Sequence, residues 1–243
     1  MKQAMIFAAG LGTRLKPLTN SMPKALVPVG GRPLLGHVVE RLRNAGFEHI
    51  VINVHHFAQQ IVDYVKAHDG WGMDVSISDE TAQLLETGGG IKHARHLFDP
   101  DSPILIHNVD ILSNADLAAL YAEAQGNDAT LLVSPRESSR ALIFHPETMR
   151  LRGWTNLKNG EIKAPCGPIA DTDRRLAFSG IHVFSPSLFP LMETWPEQFP
   201  IIDFYLSVCA DHNLVGINQP DLSLIDVGKA ETLAEANLFL NQL

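Results

Sequence analysis

Short apolar runs alternate along the chain with longer stretches in which apolar residues recur every three or four positions. Ala4–Ala8, His49–Asn53, Asp74–Ser78, Ile104–His107 and Ala129–Ser134 have strand length and little polar alternation. Such runs suit strands covered on both faces. The stretch from Pro33 to Ala45 places Leu34, Leu35, Val38, Val39 and Leu42 on one helical face, and Gly46 marks its end. Phe57–Ala67 and Asn114–Ala124 repeat that helical spacing. Strand–helix alternation predicts right-handed crossovers and a mostly parallel sheet.

The pattern changes after Ser134. Arg140–His145, Gly153–Asn156, Glu161–Lys163 and Phe178–Phe184 read as shorter strands separated by Pro, Gly and Asp, and Lys229–Asn241 reads as a closing helix. No long polar linker, repeat or low-complexity segment divides the chain. The expectation is one α/β domain over residues 1–243, a Rossmann-like open, mostly parallel mixed sheet flanked by helices. Residues 1–134 form its nucleotide-type half, and residues 135–243 a mixed half able to build a lid or acceptor site.

Composition narrows the function. Of 243 residues, 45% are hydrophobic and 19% charged, which places the chain among folded globular proteins. Lys and Arg total 19 against 27 Asp and Glu, a net charge of −8. That balance argues against a non-specific nucleic-acid binder, whose affinity comes from neutralising phosphates, but leaves room for one basic cleft. Cys166 and Cys209 are distant in sequence and lie outside any CxxC or Cys/His spacing, so neither a disulfide framework nor a structural zinc site is expected. Two reduced thiols fit a cytoplasmic protein. No run approaches the roughly 20 apolar residues of a membrane span. The opening MKQAMIFAAGLGTR turns into glycines after about seven apolar residues, short for a signal peptide, and reads as a buried strand feeding a turn.

Candidate chemistry begins at that turn, Ala8-Ala9-Gly10-Leu11-Gly12-Thr13-Arg14. In open α/β sheets, ligands bind beyond the carboxyl ends of the strands, and glycines there let backbone N–H groups approach phosphate. The spacing matches neither GxxxxGK[ST] nor a GxGxxG that opens a helix, since Pro17 interrupts it. Ten residues after Arg14, Lys24 follows in Met22-Pro23-Lys24-Ala25-Leu26-Val27-Pro28-Val29. Arg14 offers a planar fork for phosphate oxygens and Lys24 a compact charge.

The segment AAGLGTRLKPLTNSMPKALVPVGGRPLL resembles the signature of the sugar-1-phosphate nucleotidyltransferases over nearly thirty positions. That resemblance implies a magnesium-dependent transfer from a nucleoside triphosphate to a sugar 1-phosphate, with release of pyrophosphate. It also implies the nucleotide-diphospho-sugar transferase fold. Arg14 and Lys24 would act at the reacting centre, and Ala8, Ala9, Gly10, Gly12, Thr13 and Arg14 would hold the triphosphate.

Three further segments extend the reading. Leu84-Leu85-Glu86-Thr87-Gly88-Gly89-Gly90-Ile91 puts three glycines at the start of a helix, suited to close approach of a base or phosphate. Its wording resembles the branch that includes N-acetylmuramate 1-phosphate uridylyltransferases and heptose or mannose 1-phosphate guanylyltransferases. The resemblance makes Glu80, Gly88 and Gly89 nucleobase-side candidates. Asp110 directly follows a buried strand, where a carboxylate can hold a hard cation. The family usually has Asn-Gly-Asp there; this chain has Asn108-Val109-Asp110. Asp226, in Asp226-Val227-Gly228, is by resemblance the second magnesium ligand, with an N-cap of the last helix as the alternative its position allows.

The second half carries weaker signals. Many relatives carry Glu-Lys-Pro for the sugar phosphate, whereas here the nearest string is Glu161-Ile162-Lys163-Ala164-Pro165. Phe178-Ser179-Gly180-Ile181 resembles a strand lining the sugar pocket. Asn108, Trp154, Asn156, Lys163, Ser179, Gly180 and Asp203 are the sugar-phosphate candidates. Trp154 reads equally as core packing and Asp203 as a helix cap. His55, His56 and His107 read as packed histidines, because an anionic phosphate nucleophile needs no general base. The expected product is an NDP-sugar, by uridylyl transfer to an amino-sugar 1-phosphate such as N-acetylmuramate 1-phosphate. The alternatives are guanylyl or thymidylyl transfer to another sugar 1-phosphate and, lower, a non-catalytic ligand sensor. The expected assembly is a monomer or small homo-oligomer, with neither nucleic acid nor membrane as partner.

Overall fold

A computed structural model describes residues 1–219 and 221–241. The first half runs β1 (Gln3–Phe7), β2 (Pro28–Val29), β3 (Arg32–Pro33), α1 (Leu34–Asn44), β4 (His49–Val54), α2 (Ala58–Ala67), β5 (Asp74–Asp79), α3 (Glu86–Ala94), β6 (Ile104–Asn108), β7 (Ile111–Ser113), α4 (Leu117–Glu123) and β8 (Ala129–Ser134). The second half adds β9 (Arg140–Phe144), β10 (Leu151–Asn156), β11 (Ile162–Lys163), β12 (Arg174–Phe184), α5 (Phe189–Met192), α6 (Ile201–Val208), β13 (Leu214–Asn218), β14 (Leu224–Asp226) and α7 (Ala230–Leu240).

The central sheet has the order β11-β10-β9-β12-β6-β1-β4-β5. Strands β6, β1, β4 and β5 are parallel neighbours, as the alternation predicted. The eleven-residue β12 runs antiparallel to β6 on one side and to β8 on the other, while its first residues pair with β9. Because β8 and β6 both oppose β12, β8 points the same way as β1 and β6. The C-terminal ends of these strands therefore share one edge, where ligands bind in open α/β sheets.

Side chains along each central strand alternate between two cores. Ala4 and Ile6 of β1, Ile50 and Ile52 of β4 and Leu105 of β6 face α1, α2 and α4. Met5, Val51, Ile104 and Ile106 face α3, α5 and α6. Continuous apolar runs are needed because both faces are covered. The unread elements carry short or mixed patterns. Helix α6 follows Pro200 with only eight residues, and the ribbon pairing β14 with β7 is three residues wide. Among the described residues, no helix is long and apolar enough to cross a membrane.

Cys166 and Cys209, 43 residues apart in sequence, come together with their Sγ atoms 3.2 Å apart. Both are free thiols. Sequence distance gave no hint of this contact, because β10, β11 and α6 fold back on one another.

His107 and His182 are fully buried in the central sheet. Burial lowers His107 from its ordinary 6.5 to about 4, and His182 to about 3. Above pH 6.5 both are neutral in folded and unfolded chains alike. As pH falls below 6.5 the unfolded chain binds protons first, so stability is lost towards the folded values. By pH 5 each histidine costs about 2 kcal/mol. Urea midpoints should therefore fall between pH 7.5 and pH 5, and His182→Leu should remove about half of that fall. An equal fall in the variant would refute the assignment.

Candidate functional site

The candidate site is a cleft of about 520 Å³ at the shared carboxyl edge, walled by the segment after β1, the loop before α3 and the residues after β6. The segment after β1 is shaped from within. Gly12 has φ +63, and a Cβ there would lie 2.9 Å from Thr19 Cγ2 and 3.1 Å from Lys24 Cβ, so glycine is required. The Gly12 carbonyl accepts hydrogen bonds from the Leu15 N–H and the Thr19 hydroxyl. Gly10, Thr13 and Arg14 remain exposed along the cleft wall.

Asn53, at the end of β4, ties this wall to the next. Its Oδ1 accepts from the Ala8 N–H at 2.7 Å and the Ala9 N–H at 3.3 Å. Its Nδ2 donates to Glu80 Oε1 at 2.8 Å, and Glu80 Oε2 accepts from the Leu85 N–H at 3.2 Å. Burial raises the Glu80 carboxyl above the usual range. Glu80 thus braces the loop before α3, with both oxygens engaged. Asn53 was not singled out from sequence, although it stands one residue before the end of the strand beside β1, a position the sheet order makes significant.

The triple glycine serves backbone packing. A Cβ at Gly88 would lie 2.3 Å from the Phe199 ring, and one at Gly89 2.0 Å from the Glu197 carbonyl. Both N–H groups donate to the Phe199 carbonyl. The close approach anticipated for a nucleobase is therefore made by the chain before α6, and this corrects the expected placement of Gly88 and Gly89. Leu84, Glu86 and Thr87 line the cleft instead.

Charge gathers at the floor. Lys24 is buried beneath the glycine turn, and its Nζ is ion-paired with Asp110 Oδ2. Val109 adopts no positive φ, and its N–H donates to the Phe7 carbonyl, so valine replaces the usual glycine without strain. The β14–β7 ribbon then delivers the second carboxylate. Asp226 pairs with Ile111, and the Val227 N–H donates to the Asp110 carbonyl at 2.9 Å. Burial first, and the negative charge of Asp110 second, raise the Asp226 carboxyl; Lys24, Arg14 and Arg136 oppose that rise. Gly228 leaves space for two groups at once, since a Cβ there would lie 2.8 Å from Asp226 Oδ1 and 3.0 Å from an Arg14 guanidinium nitrogen. Asp226 is not the N-cap of α7; Lys229 holds that position. Arg14, Lys24, Asp110 and Asp226 thus converge from four segments of the chain.

The sequence model of the nucleotidyl transferase family matches residues 3–144. The chain belongs to this family. It is 33% identical over 250 residues to N-acetylmuramate alpha-1-phosphate uridylyltransferase of Caulobacter vibrioides, covering 98% of this chain and 97% of that one. It is 31% identical over 211 residues to mannose-1-phosphate guanyltransferase of Pichia angusta, covering 82% of this chain and 55% of that one. Similar folds include HddC of Yersinia pseudotuberculosis complexed with GMP-PN, with TM-score 0.77, 20% identity and coverage of 99% and 100% of the two chains. UDP-glucose pyrophosphorylase of Acinetobacter baumanii has TM-score 0.79 at 18% identity, over 98% of this chain and 93% of that one. The protein is therefore an enzyme of the nucleotidyltransferase class.

The nucleotidyltransferase has a second cavity, of about 540 Å³, built by its second half. Cross-strand pairs Arg140–Asn156, Leu142–Trp154 and Trp154–Lys163 share one sheet face. Arg140, Trp154, Lys163 and Phe178 line the cavity from that face, and Pro200 and Asp203 from α6 and its approach. Lys163 Nζ pairs with Asp203 Oδ1 at 2.8 Å and lies 5.4 Å from the Trp154 ring centre. Asp203 sits in the first turn of α6, whose N-cap is Pro200.

Two expected sugar-side residues make hydrogen bonds within the protein. The Ser179 hydroxyl is buried and donates to the Leu132 carbonyl at 2.7 Å, bridging a bulge between β12 and β8. Asn156 Oδ1 accepts from the Lys158 N–H and closes the turn before β11. Gly180, φ +78, abuts Asn108, where a Cβ would lie 2.7 Å from Nδ2. Asn108 itself lines the first cleft. His55 Nδ1 donates to the Glu80 carbonyl, and His107 is sealed in the sheet.

Proposed function

We propose that this protein transfers a uridylyl group from UTP to an amino-sugar 1-phosphate, N-acetylmuramate 1-phosphate foremost, and releases pyrophosphate. The observation that carries this reading is the convergence of Arg14, Lys24, Asp110 and Asp226 in one cleft. Identity to a uridylyltransferase over nearly the whole chain supports the choice of base and sugar.

In this reading the triphosphate lies along Gly10–Arg14, and the base rests on the wall formed by Leu84, Glu86 and Thr87. The sugar occupies the second cavity, with its ring against Trp154 and its hydroxyls within reach of Lys163 and Asp203. The acceptor oxygen is already anionic, so the work is alignment with the α-phosphorus and relief of repulsion between two anions. Arg14 and Lys24 supply positive charge at the transferring phosphate and at the leaving pyrophosphate.

Asp110 and Asp226 fit a magnesium ion. They are two hard-oxygen donors held side by side where the Val227 N–H donates to the Asp110 carbonyl, and burial first, then the charge of Asp110, raises the Asp226 carboxyl. When bound there, the ion would neutralise phosphate oxygens. The enzyme would work in the cytoplasm.

The test is a grid of UTP, GTP and dTTP against N-acetylmuramate, N-acetylglucosamine, glucose and mannose 1-phosphates, read by pyrophosphate release. The expected maximum is UTP with N-acetylmuramate 1-phosphate. A maximum at GTP with mannose 1-phosphate would overturn the substrate reading in favour of guanylyl transfer.

A further inference from the structure

Two thiols meet beside the second cavity, outside the residues assigned to the reaction. Cys166 stands three residues after β11, and Cys209 is the C-cap of α6. Their Sγ atoms lie 3.2 Å apart, about 1.2 Å more than the length of an S–S bond. The Cys166 thiol donates to the Leu151 carbonyl of β10 at 3.7 Å, and the Cys209 thiol to the Leu206 carbonyl of α6 at 3.5 Å. Each sulfur is thus fastened to a different wall. Strands β10 and β11 bring Trp154 and Lys163 to the cavity, and α6 and its approach bring Pro200, Ile202 and Asp203. The Lys163–Asp203 ion pair joins these walls at the first turn of α6, and the thiols face each other at its last.

The two thiols differ in reach. Cys166 is half-buried and Cys209 buried. Burial first, and the Cys166 contact second, push the Cys209 thiol up to about 12, so it stays protonated at neutral pH. An oxidant therefore meets Cys166 first. A peroxide transfers one oxygen to the Cys166 sulfur: the O–O bond breaks, the thiol becomes a sulfenic acid, and one water leaves. The Cys209 sulfur then attacks the Cys166 sulfur and the S–O bond breaks, the Cys209 proton leaving with the hydroxyl as a second water. The two thiols lose two electrons to become a disulfide, and one hydrogen peroxide is reduced to two waters.

We propose that Cys166 and Cys209 are a redox modification site, where a peroxide converts the pair to a reversible disulfide that locks α6 onto the β10–β11 wall. The cross-link would join residues 43 positions apart, and so constrain a long stretch of the unfolded chain. The residues lining the nucleotide cleft and those lining the second cavity do not overlap, so the lock acts on the second cavity alone. Its consequence for turnover rests on the reading given under Proposed function: with α6 held at both ends, the walls part less readily to admit a sugar. The competitor is a pair of packed cysteines that stays reduced.

The test treats the full chain with hydrogen peroxide. Peptide mapping after alkylation should show Cys166 and Cys209 cross-linked within one chain, with two hydrogens lost and both thiols recovered by dithiothreitol. Closing so long a loop should raise Tm by about 5 to 15 °C over the reduced protein. KM for the sugar 1-phosphate should rise at least about fivefold, while KM for UTP stays within about twofold. Cys166→Ser, treated alike, should show none of these changes, which separates the cross-link from oxidation elsewhere. Both thiols still alkylated in full, Cys166 overoxidised beside a free Cys209, a disulfide between two chains, or a cross-linked protein of unchanged Tm would each overturn the site. Unchanged KM for the sugar 1-phosphate in the cross-linked enzyme would overturn the lock on the cavity. If wild type turns over no sugar 1-phosphate, the reading of the reaction fails separately, and the peptide map and the melt still decide the disulfide.

Discussion

Lys24→Met is expected to lower kcat by about 10²- to 10³-fold, the range typical of losing one preorganised charge at a transferring group. Methionine keeps the buried methylene stem beneath Gly12 and removes only the charge. The loss should fall on kcat more than on KM for UTP, because Gly10–Arg14, proposed above to lie along the triphosphate, are unchanged. Without Lys24, Asp110 and Asp226 face each other with less compensation, so Tm should drop in EDTA and recover with magnesium. Steady-state kinetics and thermal melts check both parts. A variant with near-normal kcat would remove Lys24 from the reacting centre.

Asp110→Asn is expected to cost at least about 10²-fold in turnover, and to abolish the rise in Tm that magnesium and UTP together give wild type. The melt separates metal binding from catalysis, since it needs no reaction. The substitution also leaves Lys24 without its anionic partner. Its effect should therefore fall well short of additive with Lys24→Met, because the two side chains act as one unit. A variant that keeps full magnesium-dependent turnover would reject Asp110 as a ligand.

Much of the fold was legible because both faces of the central sheet are covered. Ala129–Ser134 was read with its observed limits, and β1, β4, β5 and β6 were each read to within one residue at either end. Elements held by few residues were not legible. The β14–β7 ribbon and α6 gain their stability from contacts far away in sequence, which no local period encodes. The same limit governed the site. Arg14, Lys24, Asp110 and Asp226 each follow or end a strong local pattern, and all reach one cleft. Gly88 and Gly89 were read as facing a ligand, because a sequence cannot show that Glu197 and Phe199 press on them. Ser179 was read as lining a pocket, whereas a bulge turns its hydroxyl to Leu132. Asn53 stands one residue before the end of β4 and carries no motif, so only the sheet order, which sets β4 beside β1, reveals it.

The central claim is that this cleft joins two phosphate esters rather than hydrolysing one. The most direct measurement is mass-spectrometric analysis of the wild-type enzyme incubated with UTP, N-acetylmuramate 1-phosphate and magnesium, with pyrophosphate quantified in parallel. The account predicts the UDP-sugar and pyrophosphate in a one-to-one ratio, and neither when the sugar 1-phosphate is left out. Pyrophosphate formed from UTP alone, or no nucleotide-sugar with any triphosphate and sugar 1-phosphate pair, would contradict it.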